Sequence, residues 1–158
     1  MSNFLPTRPR AIGGKRHIAI VASRFNEKYV EGLVQHASTE LRALVSSLVL
    51  TVHHVSGAFE IPVVARELAS QKKVEAILAL GVILAGDTKH AQHLAQSVTN
   101  ALQQIAIEHG VPVINAVLDL DDEWQAQERC LGSEINRGTE AARAAVEVAD
   151  VLVELRGR

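Results

Sequence analysis

Apolar residues in this chain alternate between two patterns: short unbroken runs, and longer stretches in which they recur at helical spacing. The first run, HIAIVA at residues 17–22, is too short for a helix and lacks the alternation of a half-exposed strand. It predicts a strand buried on both faces. Val30, Leu33, Val34, Ala37, Leu41 and Leu44 then recur on one face of an amphipathic helix. Residues 48–55, LVLTVHHV, are apolar and β-branched and predict a second strand. Ser56-Gly57 breaks it, and residues 60–69 read as a helix with Pro62 in its first turn, where a missing N–H costs nothing. The alternation continues with a strand over 76–84 and a long helix carrying Leu94, Val98, Ala101, Leu102 and Ile105, ending near Gly110. A fourth strand spans 111–118, an acidic turn 119–122 and a short helix 123–130. An Ala- and Val-rich helix then runs from Thr139 to about Leu155.

Strands separated by helices imply βαβ units, hence a parallel sheet covered on both faces. The expected fold is α/β: a three-layer sandwich with a four-stranded, mainly parallel sheet of flavodoxin-like type. Residues 1–16, with Pro6, Pro9 and Gly13-Gly14, read as an extended N-terminal arm. Residues 17–158 read as a single domain.

Composition narrows the possible partners. The chain has 158 residues and a formal net charge of −2 with both signs interspersed. That allows one well-buried core and gives no basic stripe for nucleic acid or for a membrane surface. The longest apolar run, 76–85, is too short to span a bilayer, and the first ten residues do not read as a signal peptide. Cys130 is the single cysteine, so no internal disulfide forms, and a soluble cytoplasmic protein is expected. Aromatics are only 3% of the chain, so the core must be aliphatic, and an aromatic in a turn calls for an explanation.

In an open parallel sheet, ligands bind beyond the carboxyl ends of the strands. All four turns there carry chemistry. The first, Ser23-Arg24-Phe25-Asn26, offers Phe25 either as a staple for the following helix or as a stacking surface for a flat heterocycle. In the second, Gly57-Ala58 would let a ligand approach the backbone closely before Phe59. Glu60 is there either a carboxylate favoured by the helix dipole or an acceptor for a polyol. The third, Gly86-Asp87-Thr88, opens a helix and offers free N–H groups and a hydroxyl to a phosphate, or serves as an ordinary cap. His90 falls in the first turn of that helix, where the dipole disfavours imidazolium and leaves the ring free for proton transfer. The fourth is the acidic turn, a solvated turn rather than a magnesium site. His53-His54 and His90/His93 have no third ligand nearby, so no metal site is expected.

Together these turns resemble those of the lumazine synthases from about residue 15 to 153. The matching stretches are Ser23-Arg24-Phe25-Asn26, Gly57-Ala58-Phe59-Glu60-Ile61-Pro62, Ala79-Leu80-Gly81 with Gly86-x-Thr88-x-His90, Pro112-Val113-Ile114, and Glu128-Arg129 with Asn136-Arg137-Gly138. The resemblance implies condensation of 5-amino-6-(ribitylamino)uracil with 3,4-dihydroxy-2-butanone 4-phosphate to 6,7-dimethyl-8-ribityllumazine, the penultimate step of riboflavin biosynthesis, without metal or organic cofactor.

The resemblance also implies roles. Phe25 would stack on the pyrimidine beside Asn26, and Gly57, Ala58, Phe59 and Glu60 would hold the ribityl chain. Val82, Ile83 and Leu84 would line the pocket with backbone groups, and Asn115 would hydrogen-bond the pyrimidine. Gly86, Asp87 and Thr88 would bind phosphate with Arg129 supplying positive charge, and His90 would be the acid/base. It further implies small-molecule substrates, a homo-oligomer of pentamers with a pocket between neighbouring subunits, and riboflavin synthase as a partner. Ala85 stands where the family usually has arginine, and Asn115 where it has an aromatic. Ala91-Gln92 stands where an aromatic and an acid are usual. The alternative is a specialised paralogue, acting mainly as a lumazine- or flavin-binding oligomer.

Overall fold

A computed structural model describes residues 2–86 and 88–157. Among them, four strands form one all-parallel sheet in the order β2-β1-β3-β4. They are β1 (Ile12–Ser23), β2 (Val45–Val55), β3 (Ala76–Leu84) and β4 (Val113–Leu120). Five helices connect or follow them: α1 (Glu27–Leu44), α2 (Ile61–Ser70), α3 (His90–His109), α4 (Glu123–Ala126) and α5 (Arg137–Leu155). The α/β sandwich expected from the apolar pattern is the fold, and the sheet is wholly parallel.

The two faces follow from connectivity. The chain moves from β1 outward to β2 through α1, then reverses across β1 to β3 through α2 and on to β4 through α3. Right-handed crossovers in opposite directions place their helices on opposite faces. Ile18, Ile20 and Ala22 of β1 accordingly pack into one core with α1 and α5. Ala19 and Val21, the alternate residues, pack into the other with α2 and α3. Residues 18–22 of β1 and 76–83 of β3 are buried because both faces of the sheet are covered there, which is why those stretches read as unbroken apolar runs.

Several element ends differ from those that the apolar pattern predicts. β1 begins at Ile12, and residues 12–16 pair with β2 through Ile12↔Val45, Lys15↔Ser47 and Arg16↔Leu48. β2 correspondingly starts at Val45. At the other edge, β4 runs to Leu120, with Asp119 opposite Ile83 and Leu120 opposite Leu84. The acidic turn therefore begins at Asp121 rather than Asp119, because ladder pairing with β3 outweighs the poor strand propensity of Asp119. Asp122 then caps α4, accepting from the Gln125 N–H at 2.8 Å. Lastly, the segment after α4 widens into a π-helical turn, Gln127–Leu131, and α5 starts at Arg137 behind an Asn136 cap.

The chain before β1 lies against α1 and α5. Arg8 donates to both oxygens of Glu40, at 2.8 and 3.0 Å, and Arg143 of α5 reaches the same carboxylate at 3.0 Å. No helix among the described residues is long and apolar enough to cross a membrane.

Candidate active site

The reversal of the chain between β1 and β3 opens a crevice at their carboxyl ends. There, the turns after β1 and β2 are zipped together. The Arg24 N–H donates to the Val55 carbonyl at 2.9 Å, and the Phe25 N–H to the Ser56 carbonyl at 3.2 Å. Asn26 ends the first turn at φ 57°, a left-handed conformation that asparagine tolerates better than most residues. Its carboxamide crosses to the Val82 carbonyl of β3 at 2.7 Å. After β2, residues Ala58–Glu60 form one 3₁₀ turn leading into α2. The Glu60 carboxylate folds back to accept from the Gly57 N–H at 2.9 Å and from the Ser56 hydroxyl at 3.3 Å.

These turns enclose a groove of about 580 Å³, lined by Phe25, Asn26, Gly57, Ala58, Phe59, Glu60, Val82, Ile83, Leu84, His90 and Leu94. Its size suits a small organic ligand. Phe25 is 71% exposed and Phe59 66%, so neither ring is spent on the core. A side chain at Gly57 would come within 2.9 Å of the Glu60 carboxylate and 3.2 Å of the Phe25 ring. The space that glycine leaves is therefore filled by those two groups. Leu94, one turn beyond His90 on α3, also lines the groove. Helical spacing alone gives it as a core residue of the helix face, and only its i, i+4 relation to His90 could have pointed to the groove.

The other expected residues that the structure describes do not line this groove. Gly86 and Thr88 are exposed beyond the end of β3, and the Thr88 hydroxyl accepts from the His90 N–H at 3.3 Å. Asp87 lies outside the described residues. Asn115 sits on β4 and lines a separate cavity beside α5, donating to the Thr99 hydroxyl at 3.1 Å. Arg129 lies in the π-helical turn and touches neither cavity. Its Nε and Nη1 are buried with no hydrogen-bond partner among the described residues, a costly state for a cation's donors.

The 6,7-dimethyl-8-ribityllumazine synthase family matches residues 15–153. The chain belongs to this family. Membership places it among the lumazine-forming transferases of riboflavin biosynthesis, which act on small molecules. The match runs from β1 to within α5, so it takes in every strand and every turn that lines the groove.

Proposed function

We propose that the groove condenses 5-amino-6-(ribitylamino)uracil with 3,4-dihydroxy-2-butanone 4-phosphate, releasing phosphate and water to give 6,7-dimethyl-8-ribityllumazine. The observation that carries this reading is the pair of exposed phenylalanines, Phe25 and Phe59, facing one cavity with His90 at its edge. Phe25 offers a flat face to the pyrimidine. The backbone of Val82 to Leu84, at the end of β3, lines the pyrimidine side. Ala58, Phe59 and Glu60 receive the ribityl chain, whose hydroxyls can replace the Glu60 contacts to Gly57 and Ser56.

The chemistry asks for little beyond positioning and proton movement. The pyrimidine's 5-amino group attacks the ketone, and loss of water leaves an imine. Removal of a carbon-bound proton then expels phosphate, and the ribityl-bearing nitrogen closes the ring with loss of a second water. His90 takes and returns these protons, which is worth about 10²–10⁴ in rate. Holding two reactive substrates together supplies much of the remaining acceleration.

Gly86, Asp87 and Thr88 bind the phosphate beside His90. The positive charge comes from Arg129 of a neighbouring subunit, since Arg129 stands outside its own groove with two guanidinium nitrogens that have no partner among the described residues. Asn115 reaches a neighbour's pyrimidine in the same way. The active form is accordingly a homo-oligomer, built from pentamers as the family resemblance implies.

Steady-state turnover with both substrates tests the reading. Wild-type activity that falls at least about a hundredfold in His90→Ala, with pyrimidine binding retained, supports it. Tight pyrimidine binding without turnover in the wild-type chain makes the protein a lumazine-binding oligomer instead.

A further inference from the structure

The structure points to Asn136 as the positioning residue for Arg129, and we propose that it sets affinity for the phosphate-bearing substrate without touching it. Asn136 is completely buried, yet its carboxamide is fully engaged. The Oδ1 accepts from the N–H groups of Gly138 at 2.9 Å and Thr139 at 3.2 Å, capping α5. The Nδ2 donates to the Cys130 carbonyl at 2.9 Å and the Gly132 carbonyl at 2.8 Å. An asparagine cap needs only the first pair. The second pair reaches back to the turn that carries Arg129.

That turn requires support. Its closing bond runs from the Gly132 N–H to the Gln127 carbonyl at 3.0 Å, one residue wider than an α-helical bond. Such turns are rare, occur singly and are concentrated at functional sites. Two elements hold it. Asn136 holds the Cys130 and Gly132 carbonyls, which a helix end would otherwise leave orphaned. Gly32 of α1 packs against the same Cys130 carbonyl, whose oxygen an added Cβ would meet at 2.5 Å. The turn carries Arg129, two of whose guanidinium nitrogens are buried with no hydrogen-bond partner among the described residues. A cation held this way by backbone geometry is pre-organised for an anion supplied from outside.

The proposal rests on the reading of Arg129 as the phosphate cation, and its test separates the two. Asn136→Asp keeps the α5 cap but removes both donors to the turn. Expected is a rise of about tenfold in KM for the ketose phosphate and in the inhibition constant of inorganic phosphate, with the pyrimidine KM changed by less than about twofold. In an Arg129→Ala background the same substitution adds less than about twofold, since its effect runs through the missing guanidinium. Gly32→Ala pushes on the Cys130 carbonyl that Asn136 holds and gives the same split in KM values. It supplies the test if Asn136→Asp does not fold. Equal changes in both KM values, or additivity with Arg129→Ala, overturn the positioning role. An Arg129→Ala variant with unchanged phosphate constants overturns the phosphate reading itself, and this proposal with it.

Discussion

The Asn26 carboxamide donates to the Val82 carbonyl at 2.7 Å across the point where the strand order reverses, between β1 and β3. One bond thereby ties the turn after β1 to the last residues of β3, and both lie on the groove. Asn26 also occupies a left-handed backbone conformation, at φ 57°. Two substitutions separate these contributions. Asn26→Gly loses the bond but keeps the conformation, at a cost of about 1 kcal/mol. Asn26→Ala loses both and costs about 2 kcal/mol. Thermal melts should show the alanine variant lower by about 4–8 °C and the glycine variant by roughly half that. Equal melting temperatures for the two variants count against any conformational contribution.

Phe25 should divide binding from stability. Its ring is 71% exposed, so Phe25→Ala removes little buried area and shifts the melting temperature by less than about 2 °C. Loss of a stacking face weakens pyrimidine binding about tenfold, measurable by fluorescence titration. A large stability loss with unchanged affinity would return Phe25 to a stapling role for α1.

Glu40 makes stability depend on acid. Burial pushes its carboxyl up, but the hydrogen bonds and charges of Arg8 and Arg143 outweigh that and hold it below the ordinary carboxylate range. A lowered folded-state value stabilises fully above the ordinary glutamate value, about 4.3. That stability is lost as pH falls below it through the folded value. Arg8 grips both oxygens but is 54% exposed, so solvent screens its charge, and Arg143, at 17%, adds a third bond from a less exposed position. Glu40→Gln should therefore cost about 1 kcal/mol at pH 7. Urea midpoints measured from pH 7 to 3 should show the gap to wild type closing below about pH 4.

Cys130 should be chemically silent in the folded protein. Burial pushes its thiol up to about 12, against the opposing charge of Arg129. At pH 8 the reactive thiolate is scarce and shielded. A chromogenic disulfide reagent should label the native protein only at the rate of its unfolding, and the urea-unfolded chain within minutes. Fast labelling of native protein would mean that the π-helical turn opens on its own.

The groove was legible in the sequence to the extent that chemistry sat at strand ends. Phe25 and Phe59 stood out because an aliphatic chain had placed scarce rings in turns. Both proved exposed on one cavity with Asn26, Gly57, Ala58, Glu60, Val82, Ile83, Leu84 and His90. Leu94 was not legible as a groove residue, because a helix face toward the core and a face toward a ligand have the same period. Asn136 was legible only as part of a motif. Its four hydrogen bonds join segments whose approach no local pattern encodes.

By itself the sequence determined the layer order, the parallel sheet and the strand ends where ligands gather. These follow from local periodicity and from the burial of both sheet faces, which leave a mark on every apolar run. Only the tertiary structure decided that Asp119 belongs to β4, that β1 starts at Ile12, that Asn26 grips Val82, and that a π-helical turn holds Arg129 away from its own groove. Each of these depends on a partner distant in the chain, whose pairing or packing energy overrides what the local residues prefer.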